Sequence, residues 1–65
     1  MSNFVKFKNY DGRKIYIARD NIAEIAETGE KSLAVYTKVP LECWNFTFTS
    51  VESREEQIKE IIYGE

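Results

Sequence analysis

Lys6, Lys8, Lys14 and Arg19, with Tyr16 among them, are the residues of this chain best placed to hold something charged. In two alternating runs on either side of Asp11-Gly12, Lys6 and Lys8 share one strand face, and Lys14 and Tyr16 share one face of the next. Paired across the turn, they would form a cationic surface with Tyr16 as a stacking platform. Arg19, just past the second strand, would extend it. Lysine and arginine meet phosphate oxygens, and a tyrosine ring meets the face of a base. Such a surface suits an anionic nucleotide, a cyclic oligonucleotide or single-stranded nucleic acid. The plainer reading is that lysines on an edge hairpin keep other strands from adding to it.

The rest of the chain points away from catalysis. It has no histidine to serve as a general base and no Gly-rich phosphate loop. Cys43 has no histidine partner to activate it and reads as a half-buried hydrophobe. Without histidine, and with one cysteine, an ordinary nitrogen and sulfur zinc site is excluded, and no cofactor is implied. Glu55, Glu56 and Glu60 are best read as solvated acids on one helix, available to a partner. Trp44 and Tyr36 are the other candidates for a protein interface, since aromatic residues anchor binding hot spots. Tyr63 has the same amphipathic character.

Charge is unevenly distributed. Residues 1–19 carry +4 and residues 20–65 carry −6, so the net charge of −2 hides a basic, aromatic-rich start joined to an acidic body. Duplex DNA is a poor partner for such a body, because its phosphates would be repelled. A head-to-tail charged interface or an anion site fits better. At 65 residues the chain makes one domain, spanning residues 1–65, of marginal stability. The lone Cys43 cannot form an internal disulfide, so a homo-oligomer is the expected source of further burial. No apolar run is long enough to span a membrane. Met1-Ser2-Asn3 leads directly into a strand-like run, so no secretory signal is expected and a reducing cytoplasm is.

The positioning elements follow from periodicity. Residues 4–9 alternate with Val5 and Phe7 on one face, Asp11-Gly12 marks a hairpin turn, and residues 13–18 alternate again. Asn21 and Glu24 fit a helix start, but Thr28-Gly29 stops the pattern early. A single turn near Asn21 followed by a short strand over 23–27 is the better fit. A tight turn over 28–31 leads to a strand over 32–39, which Pro40 ends. Residues 44–49 put Trp44, Phe46 and Phe48 on one face. Ser53 and Glu56 form a capping box, Ile58, Ile61 and Ile62 an apolar stripe, and Gly64 a helix stop. The expected fold is α+β: an antiparallel meander of four or five strands, curled or half-barrelled, with one C-terminal helix across the aromatic face.

This order of elements resembles the small bacterial FlbD/SwrD-type flagellar and swarming motility proteins. The counterparts are the strand over 4–8, Asp11-Gly12, the segments 22–28 and 32–37, and Phe46-Thr47-Phe48-Thr49 leading to Ser53-Arg54-Glu55-Glu56. The chain lacks that family's Pro-Asp turn and inserts residues 39–44 in place of an Asn-Gly hairpin. The resemblance implies this fold and offers no catalytic residues.

Size, acidity and missing chemistry together describe a small non-enzymatic regulator that acts by binding a protein. An inhibitor of a host system carried by a phage or mobile element would have this character, because an acidic surface can occupy a basic channel. The competing reading is a sponge or sensor for an anionic nucleotide, with Lys6, Lys8, Lys14 and Arg19 at a subunit interface.

Overall fold

Alternation in the first eighteen residues builds a hairpin. In the computed structural model, which describes residues 3–64, β1 (Phe4–Lys8) pairs antiparallel with β2 (Lys14–Ala18). Val5 lies opposite Ile17 and Phe7 opposite Ile15. Met1 and Ser2, expected to lead into this strand, lie outside the described residues, as does Glu65. The turn is wider than a two-residue one. Gly12 takes the left-handed conformation at φ 88°, and its N–H donates to Asn9 O at 3.0 Å. Asp11 Oδ1 accepts from Arg13 N at 3.0 Å. No other residue of the turn has positive φ, so Tyr10 and Asp11 form the corner and Gly12 the bulge that follows it.

A 3-10 turn at Arg19–Asn21 redirects the chain into β3 (Ile22–Gly29), followed by β4 (Ser32–Thr37) and β5 (Cys43–Thr47). The short strand expected over 23–27 is present and longer, because β4 pairs along nearly its whole length. These three strands form a second antiparallel sheet in the order β3-β4-β5. The meander is therefore five antiparallel strands in two sheets, with no closed barrel. β4 is central, and its inward residues Leu33 and Val35 are fully buried.

The sheets meet face to face through their aromatic residues. Phe7 of β1 stacks on Phe46 of β5, with ring centroids 4.6 Å apart and planes 8° from parallel. Val5, Ile17, Leu33, Val35 and Phe48 close around that pair. A backbone bond locks the junction, with Tyr10 N donating to Thr47 O at 2.7 Å, and Phe48 N on Lys31 O at 2.7 Å extends the β4–β5 ladder beside it. Asn9 Oδ1 accepts from Thr47 N at 2.7 Å, so the hairpin loop continues the edge of β5.

The helix α1 (Val51–Tyr63) starts earlier than the capping box at Ser53 and Glu56 implies. Ser50 is the cap: its backbone is extended and its Oγ accepts from Ser53 N at 3.1 Å. Ser53 sits within the first turn and shares its hydroxyl with Ser50. Glu52 supplies the acid that the helix dipole favours there. Gly64 ends the helix at φ 76°, its N–H on Glu60 O at 2.9 Å. The buried stripe also differs from expectation. Ile58 and Ile61 pack against the core, but Ile62 is 61% exposed, and Arg54 and Gln57 are buried in its place. Positions 54, 57, 58 and 61 share one face of a helix, whereas 62 is turned a further 100° away. The helix lies along the edge of β1 that faces away from β2, with Gln57 Nε2 donating to Lys6 O at 3.0 Å.

Truncating a buried phenylalanine costs about 3–5 kcal/mol. The whole stability of a domain this size is on the order of 3–10 kcal/mol. Phe7→Ala and Phe46→Ala should each abolish the cooperative urea transition followed by Trp44 fluorescence, while Phe7→Leu should retain it.

Candidate functional site

Three surfaces carry the candidate residues. The first is the outer face of the hairpin. Register puts Lys6 directly opposite Tyr16 and Lys8 directly opposite Lys14, all four exposed. Phe4, 52% exposed, continues the row beside Ala18. Like charges set opposite each other across a strand pair destabilise it, so Lys8 and Lys14 carry a cost that an anion between them would relieve. Arg19 does not extend this face. Its Nη1 donates to Glu60 O at 2.9 Å and Ile61 O at 3.0 Å, so its guanidinium caps the end of α1. A cation there is drawn to the unpaired carbonyls and the negative end of the helix dipole.

The second surface is a groove of about 630 Å³ between β1 and α1. Lys6 and Lys8 line it with Glu56 and Glu60, and Tyr10 and Asp11 also contribute. Glu56 and Glu60, one helical turn apart, share that face of α1. Glu55 does not, because it is bonded to Arg54 Nη2 at 2.7 Å. The three acids read together from sequence thus divide between two faces. Among the described residues the ion pairs all belong to Arg54, so no ion pair joins the lysines to the acids across the groove. Carboxylates in a lysine-lined groove oppose phosphate there, which leaves the outer hairpin face as the better anion surface.

Arg54 itself is a key residue that sequence reasoning passed over. It is only 9% exposed, with Nη1 on Gly29 O at 2.9 Å and on Glu27 Oε1 at 3.2 Å. Its Nε is buried without a partner. Arg54 ties the start of α1 to the end of β3. Its only signal in the sequence is a position in phase with Gln57, Ile58 and Ile61.

The third surface is the loop from Lys38 to Glu42, where Val39 and Leu41 are each 79% exposed. The Val39–Pro40 peptide is cis. Asn21 grips the loop from outside: Nδ2 donates to Val39 O at 3.0 Å and Oδ1 accepts from Val39 N at 3.1 Å. Thr37, buried, holds it from within, with Oγ1 donating to Pro40 O at 2.7 Å and accepting from Glu42 N at 3.2 Å. Trp44 stands next to this loop, half-buried against the core. Cys43 is exposed, not half-buried, because it falls on the outward face of β5 opposite Tyr36. The Tyr36 phenol is pushed above its usual 10.0, first by hydrogen bonding with Cys43 and by the charge on that thiol. Slight burial and Glu24 push it the same way. The exposed pair Val39 and Leu41 was not singled out in sequence, where Pro40 reads only as a strand breaker.

Comparison with known proteins adds no relative: no family model, no curated protein and no solved structure matches the chain. The resemblance to the motility proteins rests on the residue pattern alone.

Two outcomes check these assignments. Hydrogen bonds made by a charged group contribute about 1.5–3 kcal/mol. Arg19→Met should therefore lower stability by roughly 2 kcal/mol in urea titrations and fray the last helical turn by NMR. Tyr36 should ionise above pH 10.0, and Cys43→Ala should bring its NMR titration midpoint back toward that value. Since the folded phenol binds its proton more tightly than the unfolded one, this contribution is complete below pH 10.0 and is lost as pH rises through the folded midpoint.

Proposed function

We propose that the protein is a non-enzymatic interaction protein that works in the cytoplasm by gripping another protein through the loop at Val39-Pro40-Leu41. The observation that carries this reading is the rigid display of two aliphatic side chains, each 79% exposed, on a loop pinned from both sides by Asn21 and Thr37. Leaving a Val or Leu side chain in water forgoes about 1.5–3 kcal/mol that burial would provide. Fixing the loop in advance lowers the entropy lost on binding, so the burial gained appears as affinity. Tyr36, on the outer face of β4 next to the loop, widens the contact, while Trp44 on the opposite face packs on the core behind it. The acidic helix residues and the basic hairpin then act at a distance, steering the partner by charge and setting association rate. A small inhibitor of a host system, carried by a phage or mobile element, would use its surface in this way.

A second reading is favoured by one feature, the opposed pair Lys8 and Lys14 with Tyr16 one pleat along. In it the hairpin face binds an anionic nucleotide, with phosphates between the lysines and the base on the Tyr16 ring.

The readings separate in two experiments. A partner captured by crosslinking is purified and titrated against wild type, Leu41→Asp and the double variant Lys6→Glu with Lys14→Glu. Hot-spot residues contribute at least about 2 kcal/mol, so Leu41→Asp should weaken binding roughly 30-fold or more and leave circular dichroism unchanged. The charge reversals should act mainly on the association rate. Unchanged affinity in Leu41→Asp defeats the protein-binding reading. A native mass spectrum of gently purified protein carrying extra mass, lost in the lysine double variant, establishes the nucleotide reading instead.

A further inference from the structure

β2 ends its sheet, and no strand among the described residues pairs with its outer side. The hydrogen-bond phase of the hairpin identifies which groups point outward. Asn9 N donates to Arg13 O and Arg19 N to Asn3 O, both at 2.8 Å, so these are bonded pairs of the ladder. In an antiparallel ladder bonded and non-bonded pairs alternate, which makes Lys6 with Tyr16 a non-bonded pair. Lys6 O confirms the phase by turning away from β2 to accept from Gln57. The backbone N–H and C=O groups of Lys14, Tyr16 and Ala18 therefore point away from β1.

We infer that a second copy of this chain occupies that edge, joined antiparallel across a two-fold axis at Tyr16. In this register Tyr16 pairs with Tyr16 of the other copy, and Lys14 with Ala18. Every outward group of β2 is then satisfied within its own ladder phase. In this register Lys14 faces alanine in place of another lysine. Arg13 falls opposite Arg19 of the other copy, whose guanidinium is held by the Glu60 and Ile61 carbonyls at the end of α1. On the inner face, half-buried Ile15 meets Ile17 of the other copy.

The other long edge, β3, is blunted against such pairing. It carries register irregularities between Ile22 and Glu24 and between Glu27 and Gly29, and self-pairing would bring Glu24 and Glu27 against acids. β2 has no bulge and no proline, and its one charged residue, Lys14, meets Ala18 and not a like charge in this register. The joined hairpins make one four-stranded sheet, whose outer face carries Lys6, Lys8, Lys14 and Tyr16 from both copies. A surface of that extent reaches an anion from two sides of the axis.

Two five-residue strands make a short seam, so the dimer is weak and must be read across a concentration series. Sedimentation equilibrium from micromolar to millimolar protein should show monomer passing to dimer. In the same series the amides of Lys14, Tyr16 and Ala18 should gain protection from hydrogen exchange as concentration rises. Tyr16→Pro removes an N–H that β1 does not use, and proline is tolerated on an edge strand at such a position. It should stay folded by circular dichroism and stay monomeric, while Tyr16→Thr should still dimerise. A monomer at every concentration overturns the inference. So does a dimer that leaves the Tyr16 amide exchanging freely, an outcome that places the contact elsewhere. The amide readout uses the unaltered chain, so it decides the question even if Tyr16→Pro fails to fold.

Discussion

The stack of Phe7 on Phe46 is the contact on which the molecule depends, because it is where two small sheets become one core. Neither sheet could stand alone: a two-stranded hairpin is marginal in water, and three strands need a covered face. The stack binds residues thirty-nine positions apart in the chain, in the first strand and the fifth. Around it the sheets are sewn at one end by Asn9 and Tyr10 against Thr47. The hairpin's outer face is thereby held at a defined angle to the rest, and its cations cannot turn inward.

The helix is attached differently. Its most buried positions are an arginine and a glutamine, not aliphatic residues. Three polar clamps place it: Arg54 on Gly29 and Glu27 at its start, Gln57 on Lys6 at its middle, and Arg19 on Glu60 and Ile61 at its end. Hydrogen bonds of this kind contribute modestly in net stability but are costly when half-made, so they specify position more than strength. The helix also covers the edge of β1 that faces away from β2 and leaves β2 as the open edge of that sheet. Ile58 and Ile61 add the apolar contact that keeps the clamps out of water.

This arrangement leaves the candidate surfaces on separate parts of the scaffold. The apolar loop projects from the three-stranded sheet, and the cations line the hairpin. Acids border the groove between hairpin and helix. About eight apolar side chains among the described residues form the core, which leaves most of this small chain at its surface.

Local pattern was enough to locate the strands, the Asp11-Gly12 turn, the single helix and its Gly64 stop, because alternation and turn chemistry are properties of neighbours in sequence. The shared face of Lys6, Lys8, Lys14 and Tyr16 also followed, once the turn set the register. What the sequence could not decide were choices made by distant residues. Ser53 with Glu56 reads as the cap, yet Ser50 takes that place, its Oγ accepting from Ser53 N. Ile62 and Arg54 exchanged their expected places because the face of the helix turned inward is set by β1, not by hydropathy. Arg19 reads as one more cation of a basic stretch until folding brings forty intervening residues around and sets helix carbonyls beside it. Periodicity reports which side of an element is buried; only tertiary contact decides what a long polar side chain reaches.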